Sequence, residues 1–296
     1  MSVAASPSEA RAGPAPAEVV PLRRAAVEGE AKLAVRAGGG VTRLAGLHQR
    51  DPLSLRLPRP GRGDILEACL ITTSGGLVGG DRLTVEVDVQ PGARLRAYPQ
   101  AAEKVYRSLG ADSRVTVTLN AAAETWLEWL PQETILFDGA RLRRRTELRL
   151  APGARVLAGE FLVFGRRASG ERLSSGLIHD AWRVRRGGDL VWADALHLEG
   201  DLARPLASIA CLAGVTACAS LIYAAEDAPA QLDALRALLP EDGAGSRQAL
   251  TAVNGLVVGR FLGEALAVRQ AYGAFWAAAR QQLAGLPAAL PRLWHL

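Results

Sequence analysis

Between residues 83 and 165 the chain passes three times through the same series: an alternating strand, a turn of small residues, then a second apolar run. The first unit reads Val85-x-Val87-x-Val89, Pro91-Gly92-Ala93, then Leu95 and Tyr98. The second reads Val115-x-Val117-x-Leu119, Ala121-Ala122-Ala123, then Trp126 to Leu130. The third reads Thr146-x-Leu148-x-Leu150, Pro152-Gly153-Ala154, then Val156 to Leu162. Counted back from each turn alanine, the inward residues fall at minus eight, minus six and minus four, with a period near thirty residues. Alternation of period two marks a strand with one buried face, and Pro-Gly is turn chemistry. One such unit cannot bury its apolar face alone, so the units must stack and share a core. The expectation is a mainly β protein of stacked, solenoid-like sheets.

The flanks extend that reading. Ile65 to Thr72 is a strand, and Ala181–Arg185 with Leu190–Ala193 make a hairpin around Arg186-Gly187-Gly188-Asp189. Helices come late, in a C-terminal part spanning 227–285. Ala228 to Leu239 is amphipathic and ends at Pro240, while Glu264 to Leu283 repeats Val268, Tyr272, Phe275, Trp276, Ala279 and Leu283 at helical spacing. That aromatic stripe is expected to pack the helix onto the sheet. Residues 1–20 are rich in Ala, Pro and Ser and lack the apolar centre of a secretion signal, so they read as a disordered tail. Residues 21–296 read as one domain, long enough for a sizeable core. No apolar run reaches bilayer length, and a cytoplasmic protein without membrane contact is expected.

The segment Gly75-Gly76-Leu77-Val78-Gly79-Gly80-Asp81 looks at first like a phosphate loop. A P-loop needs Gly-Lys-Ser/Thr followed by a helix, whereas here Asp81 stands at the lysine position and a strand follows. The glycines are expected instead to permit close backbone approach or positive φ. Net charge is +5, carried almost wholly by arginine, with Lys only at 32 and 104. Arg141 to Arg145 reads as a solvated strand face rather than a nucleic-acid stripe. Cys69, Cys211 and Cys218 read as buried free thiols. The four histidines, His48, His179, His197 and His295, lack the local spacing of a metal site.

Acidic residues recur beyond each second strand. Glu103 and Glu133 both lie ten residues past a turn alanine, so stacking in register would set them along one edge. Glu160, if buried, would need Arg166 or Arg167 nearby to remain ionised. Paired carboxylates such as Glu160 and Glu171 leave a hydrolytic, carbohydrate-active enzyme as the alternative. No nucleophile elbow or His-Glu-x-x-His motif strengthens it, and aromatic content is only 5%, low for a sugar platform.

Five stretches in series resemble the urease accessory protein D family (UreD, also called UreH). They are Gly75-Gly76-Leu77-Val78-Gly79-Gly80-Asp81-Arg82-Leu83, Ala101-Ala102-Glu103-Lys104-Val105-Tyr106-Arg107-Ser108 and the run from Leu127 to Phe137. Glu160 to Glu171 and the terminal Pro291-Arg292-Leu293-Trp294 complete the set. The chain departs from the family at Ala97-Tyr98, where a Thr-Thr pair is usual. The resemblance implies a non-catalytic maturation factor that binds the urease apoenzyme and UreF, and UreG through UreF, and conveys nickel to urease. It further implies no tightly bound cofactor, only transient Ni²⁺. A transit route is better lined by oxygen donors than by a His/Cys cage, which would trap the ion. The lining candidates are Asp81, Glu103, Glu133, Asp138, Glu160 and Glu171. Gly75, Gly76, Gly79, Gly80, Tyr106, Arg107 and Arg166 are the structural motif positions.

Overall fold

The computed structural model describes residues 26–241 and 245–295; the N-terminal stretch read as a tail, residues 1–20, lies outside the described residues. The chain begins with strands β1 (Glu28–Gly38), β2 (Val41–Arg50), β3 (Leu53–Arg56) and β4 (Leu66–Thr72). The repeat region holds β5 (Arg82–Val89), β6 (Arg94–Pro99), β7 (Glu103–Val105), β8 (Ser113–Ala121), β9 (Trp126–Trp129) and β10 (Thr134–Leu136). It closes with β11 (Arg141–Leu150) and β12 (Arg155–Phe164). The hairpin β13 (Ser175–Arg186) and β14 (Asp189–Asp201) follows, then helix α1 (Ala203–Ala207) and β15 (Ala217–Ala224). Last come α2 (Leu232–Arg236), β16 (Ser246–Val253), β17 (Leu256–Gly263) and α3 (Ala265–Ala284).

The strands form two facing sheets. A seven-stranded sheet runs β14-β13-β11-β8-β5-β1-β2; a ten-stranded one runs β16-β17-β15-β12-β9-β6-β4-β3, with β10 and β7 attached beside β12. Each repeat unit gives its first strand to the smaller sheet and its second to the larger, so the chain winds as coils. Equivalent strands of successive coils are parallel: β1, β5, β8, β11 and β13 in one sheet, β4, β6, β9 and β12 in the other. The expected stacked β architecture holds, and the coils extend beyond 83–165 at both ends. Rungs such as Leu33, Val87, Leu119, Leu148 and Val184 run side by side across the smaller sheet and fill the space between the layers.

The alignment of the second unit needs correction. Val85 pairs with Val117, not Val115, and Arg94 pairs with Trp126. The true turn is Ala123-Glu124-Thr125, so Glu124 occupies the position of Gly92 and Gly153. All three take positive φ, +70° at Gly92, +56° at Glu124 and +74° at Gly153. The misreading was by two residues, one full strand period, so it left the inward face unchanged.

The large sheet is covered on its outer side by α3. Val268, Tyr272, Phe275, Trp276, Ala279 and Leu283 are all buried there, as the stripe implied. Ala265 N–H, at the start of the helix, donates to Thr216 Oγ1 (3.0 Å), and Gly285 closes it with a left-handed residue whose N–H reaches the Gln281 carbonyl (2.9 Å). Gly273 sits where any side chain would collide with Trp294 and Leu290, so the C-terminal segment can cross the helix closely. The helix expected over 228–239 is shorter: a 3₁₀ turn, Ala228–Gln231, runs into α2.

Charge is buried between α3 and the sheet. Arg280 is fully buried, and its Nε lies 3.1 Å from both carboxylate oxygens of Glu128 on β9. Its Nη2 donates to Asp64 (2.6 Å) and its Nη1 to the Pro287 carbonyl. Glu128 also accepts from the indoles of Trp126 (2.9 Å) and Trp276 (3.1 Å). Arg96 on β6 joins Asp64, Glu67 and the Ala289 carbonyl, and Tyr98 O–H donates to Glu67 (2.8 Å). Burial alone would raise the Asp64 carboxyl, but the Arg280 hydrogen bond, the Ile65 N–H and the charge of Arg96 outweigh it and hold the group below its ordinary value.

Removing one partner strands the others as buried charge. Arg280→Ala is expected to cost roughly 3–5 kcal/mol in chemical denaturation, well above an exposed arginine such as Arg183. At the irregular turn, Glu124→Gly is expected to raise stability by about 0.5–1 kcal/mol by relieving the left-handed strain. Equal or lower stability would mean that contacts of the Glu124 side chain outweigh the strain.

Candidate functional site

Between the sheets the apolar packing is interrupted by a cavity of about 260 Å³, many times the roughly 15 Å³ that one water needs. Leu83, Val85, Val117 and Trp182 of the smaller sheet form one wall, and Leu70, Trp129 and Gly159 of the larger form the other. Gln100, Ala101 and Lys104 also line it and are exposed, so it opens to solvent on that side. Three of the six acidic candidates border it: Glu103, Glu133 and Glu160.

They do so by different geometry from the register expected. In the ladder Glu103 stands opposite Thr134, not Glu133, and its N–H donates to the Glu133 carbonyl (2.8 Å). Glu133 is therefore one residue out of step, and its carboxylate meets Arg269 of α3 at 2.5 Å. Burial raises the Glu103 carboxyl above its ordinary value, against a lowering hydrogen bond from Thr72. The second turn lies two residues later than the sequence alignment has it, and the span from Trp126 to Thr134 is one residue shorter than that from Arg94 to Glu103, so the net offset is one residue.

Glu160 lies at the inner end. The expected partners, Arg166 and Arg167, are not its partners; its cation is Arg144 at 3.5 Å, and its other contact is the Trp182 indole N–H. Arg144 was read as part of a solvated basic face, but β11 alternates, so Leu142, Arg144 and Thr146 point inward while Arg141, Arg143 and Arg145 point out. The Arg144 guanidinium grips Asp180 through two donors and reaches Thr134 Oγ1 at 2.9 Å. With Arg144 held by fully buried Asp180, Glu160 has only a share of its charge. Burial, reinforced by the Asp180 charge and opposed by Arg144, pushes the Glu160 carboxyl up to about 8. The cavity thus ends at a carboxyl that holds its proton near neutrality. Arg144 and Asp180 were missed in the sequence; the inward phase of β11 and β13 was the available signal.

The remaining acidic candidates, Asp81, Asp138 and Glu171, lie outside the cavity lining, whereas Gly75 and Gly76 border it. Asp81 is buried and accepts the N–H groups of Val27 (2.9 Å) and Val78 (3.0 Å), locking the glycine loop. Gly75, Gly76 and Gly80 take positive φ, and Gly79 lies where a side chain would strike Ser108. Tyr106 O–H donates to the Gly75 carbonyl (3.0 Å), and its ring meets Phe137 edge-on at 4.7 Å. Asp138 accepts from Ser174 N–H (2.9 Å), Ser174 O–H (2.8 Å) and Arg107 (2.6 Å). Burial opposes, but the Ser174 and Ser175 hydrogen bonds and Arg107 hold its carboxyl below the ordinary value. Glu171 pairs with Arg166 at 2.5 Å, and Arg166 lies 4.2 Å above the Phe137 ring. Glu160 and Glu171 therefore do not line a common cavity.

Among the described residues no three His, Cys, Asp or Glu side chains converge as a set that could hold a metal ion. Cys69 is buried as expected, whereas Cys218 is half-buried and Cys211 is exposed in the loop after α1. No helix among the described residues is long and apolar enough to cross a membrane.

These features define a coiled two-sheet β body whose interior cavity is bordered by three carboxylates set among largely apolar walls. The family pattern described as UreD urease accessory protein matches residues 27–295, and the chain belongs to that family. It is similar to the urease accessory protein UreD of Magnetococcus marinus, 48% identical over 91% of this chain and 94% of that one. It is 44% identical to UreD of a Methylobacterium species, over 90% and 94% of the two chains. UreD 1 of Methylobacterium radiotolerans is 42% identical over 99% and 98%.

The raised Glu160 carboxyl has a pH signature. Its proton is held more tightly folded than unfolded, so its contribution to stability is full at low pH and is lost as pH rises from about 5 towards 8. Glu160→Gln keeps the uncharged form throughout. Urea denaturation is expected to show the stability difference shifting in favour of the variant by more than about 1 kcal/mol over that range. A difference that does not change with pH would show that Glu160 is ionised throughout.

Proposed function

We propose that this chain is a non-catalytic scaffold of urease maturation in the cytoplasm. It binds the urease apoenzyme and UreF, with UreG held through UreF, and passes nickel along the cavity between its sheets. The observation that supports this beyond family membership is the lining itself: Glu103, Glu133 and Glu160 border one solvent-open space without closing round an ion. Oxygen donors met one or two at a time bind a divalent ion weakly enough to release it, while a closed nitrogen or sulfur set would retain it.

The ends of the route differ. At the outer end Glu133 is neutralised by Arg269, leaving Glu103 as the carboxyl free of an ion pair. At the inner end an arriving cation meets a protonated Glu160, and binding there releases that proton to solvent. Arg144, fixed by Asp180, then keeps the site from becoming a trap, because its charge opposes lasting occupancy.

Co-expression with urease and its other accessory proteins tests this. Glu103→Gln and Glu160→Gln are expected to preserve co-purification with UreF while lowering nickel per urease active site severalfold, by elemental analysis. Full nickel loading with both substitutions combined would refute the route. Loss of UreF binding at equal expression would assign the two residues to assembly.

A further inference from the structure

The outer face of the smaller sheet, turned away from the cavity, carries a pair that the sequence kept apart. His179 on β13 and His197 on β14 are eighteen residues distant, yet they stand directly opposite in the antiparallel register. The histidines lack the local spacing of a metal site along one strand, but pairing across the hairpin brings these two together. Their Nδ1 atoms are 3.3 Å apart, with ring centroids at 5.2 Å and planes at 72°.

That separation has a chemical meaning. Two imidazole nitrogens, each about 2.1 Å from one ion at the tetrahedral angle, stand about 3.4 Å apart. The separation therefore matches the bite of a chelate, and rotation of the rings would turn both nitrogens from each other onto one ion. Both backbones are fixed, since β13 is laddered to β14 on one side and to β11 on the other. Glu199, two residues beyond His197 on the same face, supplies a nearby oxygen. It now engages Arg141 at 3.1 Å in a partly exposed contact of the kind that contributes little, so it is free to turn. Arg143 stands beside His179 in the ladder, but Asp112 neutralises it at 2.6 Å.

We infer that His179 and His197 form a surface clip for one divalent ion of the nickel–copper–zinc group, with Glu199 or water completing its shell. Imidazole selects these ions over magnesium and calcium. With only two fixed protein ligands the coordination sphere stays open on the solvent side, as suits exchange rather than storage. The clip is separate from the cavity between the sheets and does not rest on the transit reading.

Calorimetric titration of the full chain with Zn²⁺ and with Ni²⁺, using Mg²⁺ as control, tests it. His179→Ala and His197→Ala are each expected to abolish one site or weaken it at least about tenfold. Their metal-free circular dichroism and melting should be unchanged, and Glu160→Gln should leave the site intact. Copper(II) bound to the parent chain should show coupling to two imidazole nitrogens by electron paramagnetic resonance, reduced to one in either variant. Should an alanine variant fold poorly, His197→Gln, which preserves a hydrogen bond to His179, carries the same expectation. Unchanged stoichiometry and affinity in folded variants would overturn the inference and leave the pair as a hydrogen bond alone.

Discussion

The ionic knot around Arg280 is the contact on which the rest of this structure depends. One guanidinium joins Glu128 of the central strand β9 to Asp64 before β4 and to the carbonyl of Pro287 after α3. Arg96 repeats the pattern one strand over, through Asp64, Glu67 and Ala289. Buried ions are a poor source of net stability, because desolvation offsets most of their attraction. They are a strong source of uniqueness here, since α3 can seat on the large sheet only where every carboxylate finds its donor. The apolar stripe of Val268, Tyr272, Phe275 and Trp276 supplies the bulk of the burial, and the knot fixes its position.

Seating α3 on the outer face of the large sheet leaves the inner face to the coils. A solenoid core is normally filled rung by rung with aliphatic residues, and most of this one is. The cavity exists where that rule is broken at adjacent rungs: Arg144 and Thr146 from one coil, Asp180 and Trp182 from the next, Glu160 facing them. Arg144 and Asp180 satisfy each other, and Glu160 remains short of charge compensation. Its raised proton affinity and the open interior thus have one physical origin, a polar layer set into a stack of valine and leucine rungs.

Much of the fold was legible in the sequence because strand alternation and Pro-Gly turns are local signals. The three repeat units, the β13–β14 hairpin and the stripe of α3 could all be read within windows of a dozen residues. What could not be read depends on registration between coils. Glu124 hides a turn because it takes a backbone conformation normally left to glycine, and a further one-residue difference after β9 sets Thr134 rather than Glu133 opposite Glu103. The same limit applies to Arg144, whose neighbours in sequence are arginines facing the other way, and to His179, whose neighbour across the hairpin is His197. The acidic candidates were recognisable by residue type and loop position. Their division into cavity-lining and loop-locking groups was not, because that depends on which strand lies alongside.

The crossing of α3 by the C-terminal segment, made possible by Gly273, bears on how the polypeptide matures during its own synthesis. The carbonyls of Pro287, Ala289 and Trp294 satisfy arginines at 280, 96 and 269, the second of them 193 residues upstream. Until α3 and that segment have been made, Glu128 at the heart of the large sheet has no cation to answer it, and Arg96 lacks its Ala289 acceptor. Winding of the early coils can proceed as they emerge, but closure of the outer layer is a terminal event. A chain interrupted before residue 280 would therefore lack the arginine that answers Glu128 and part of the helix that covers the large sheet.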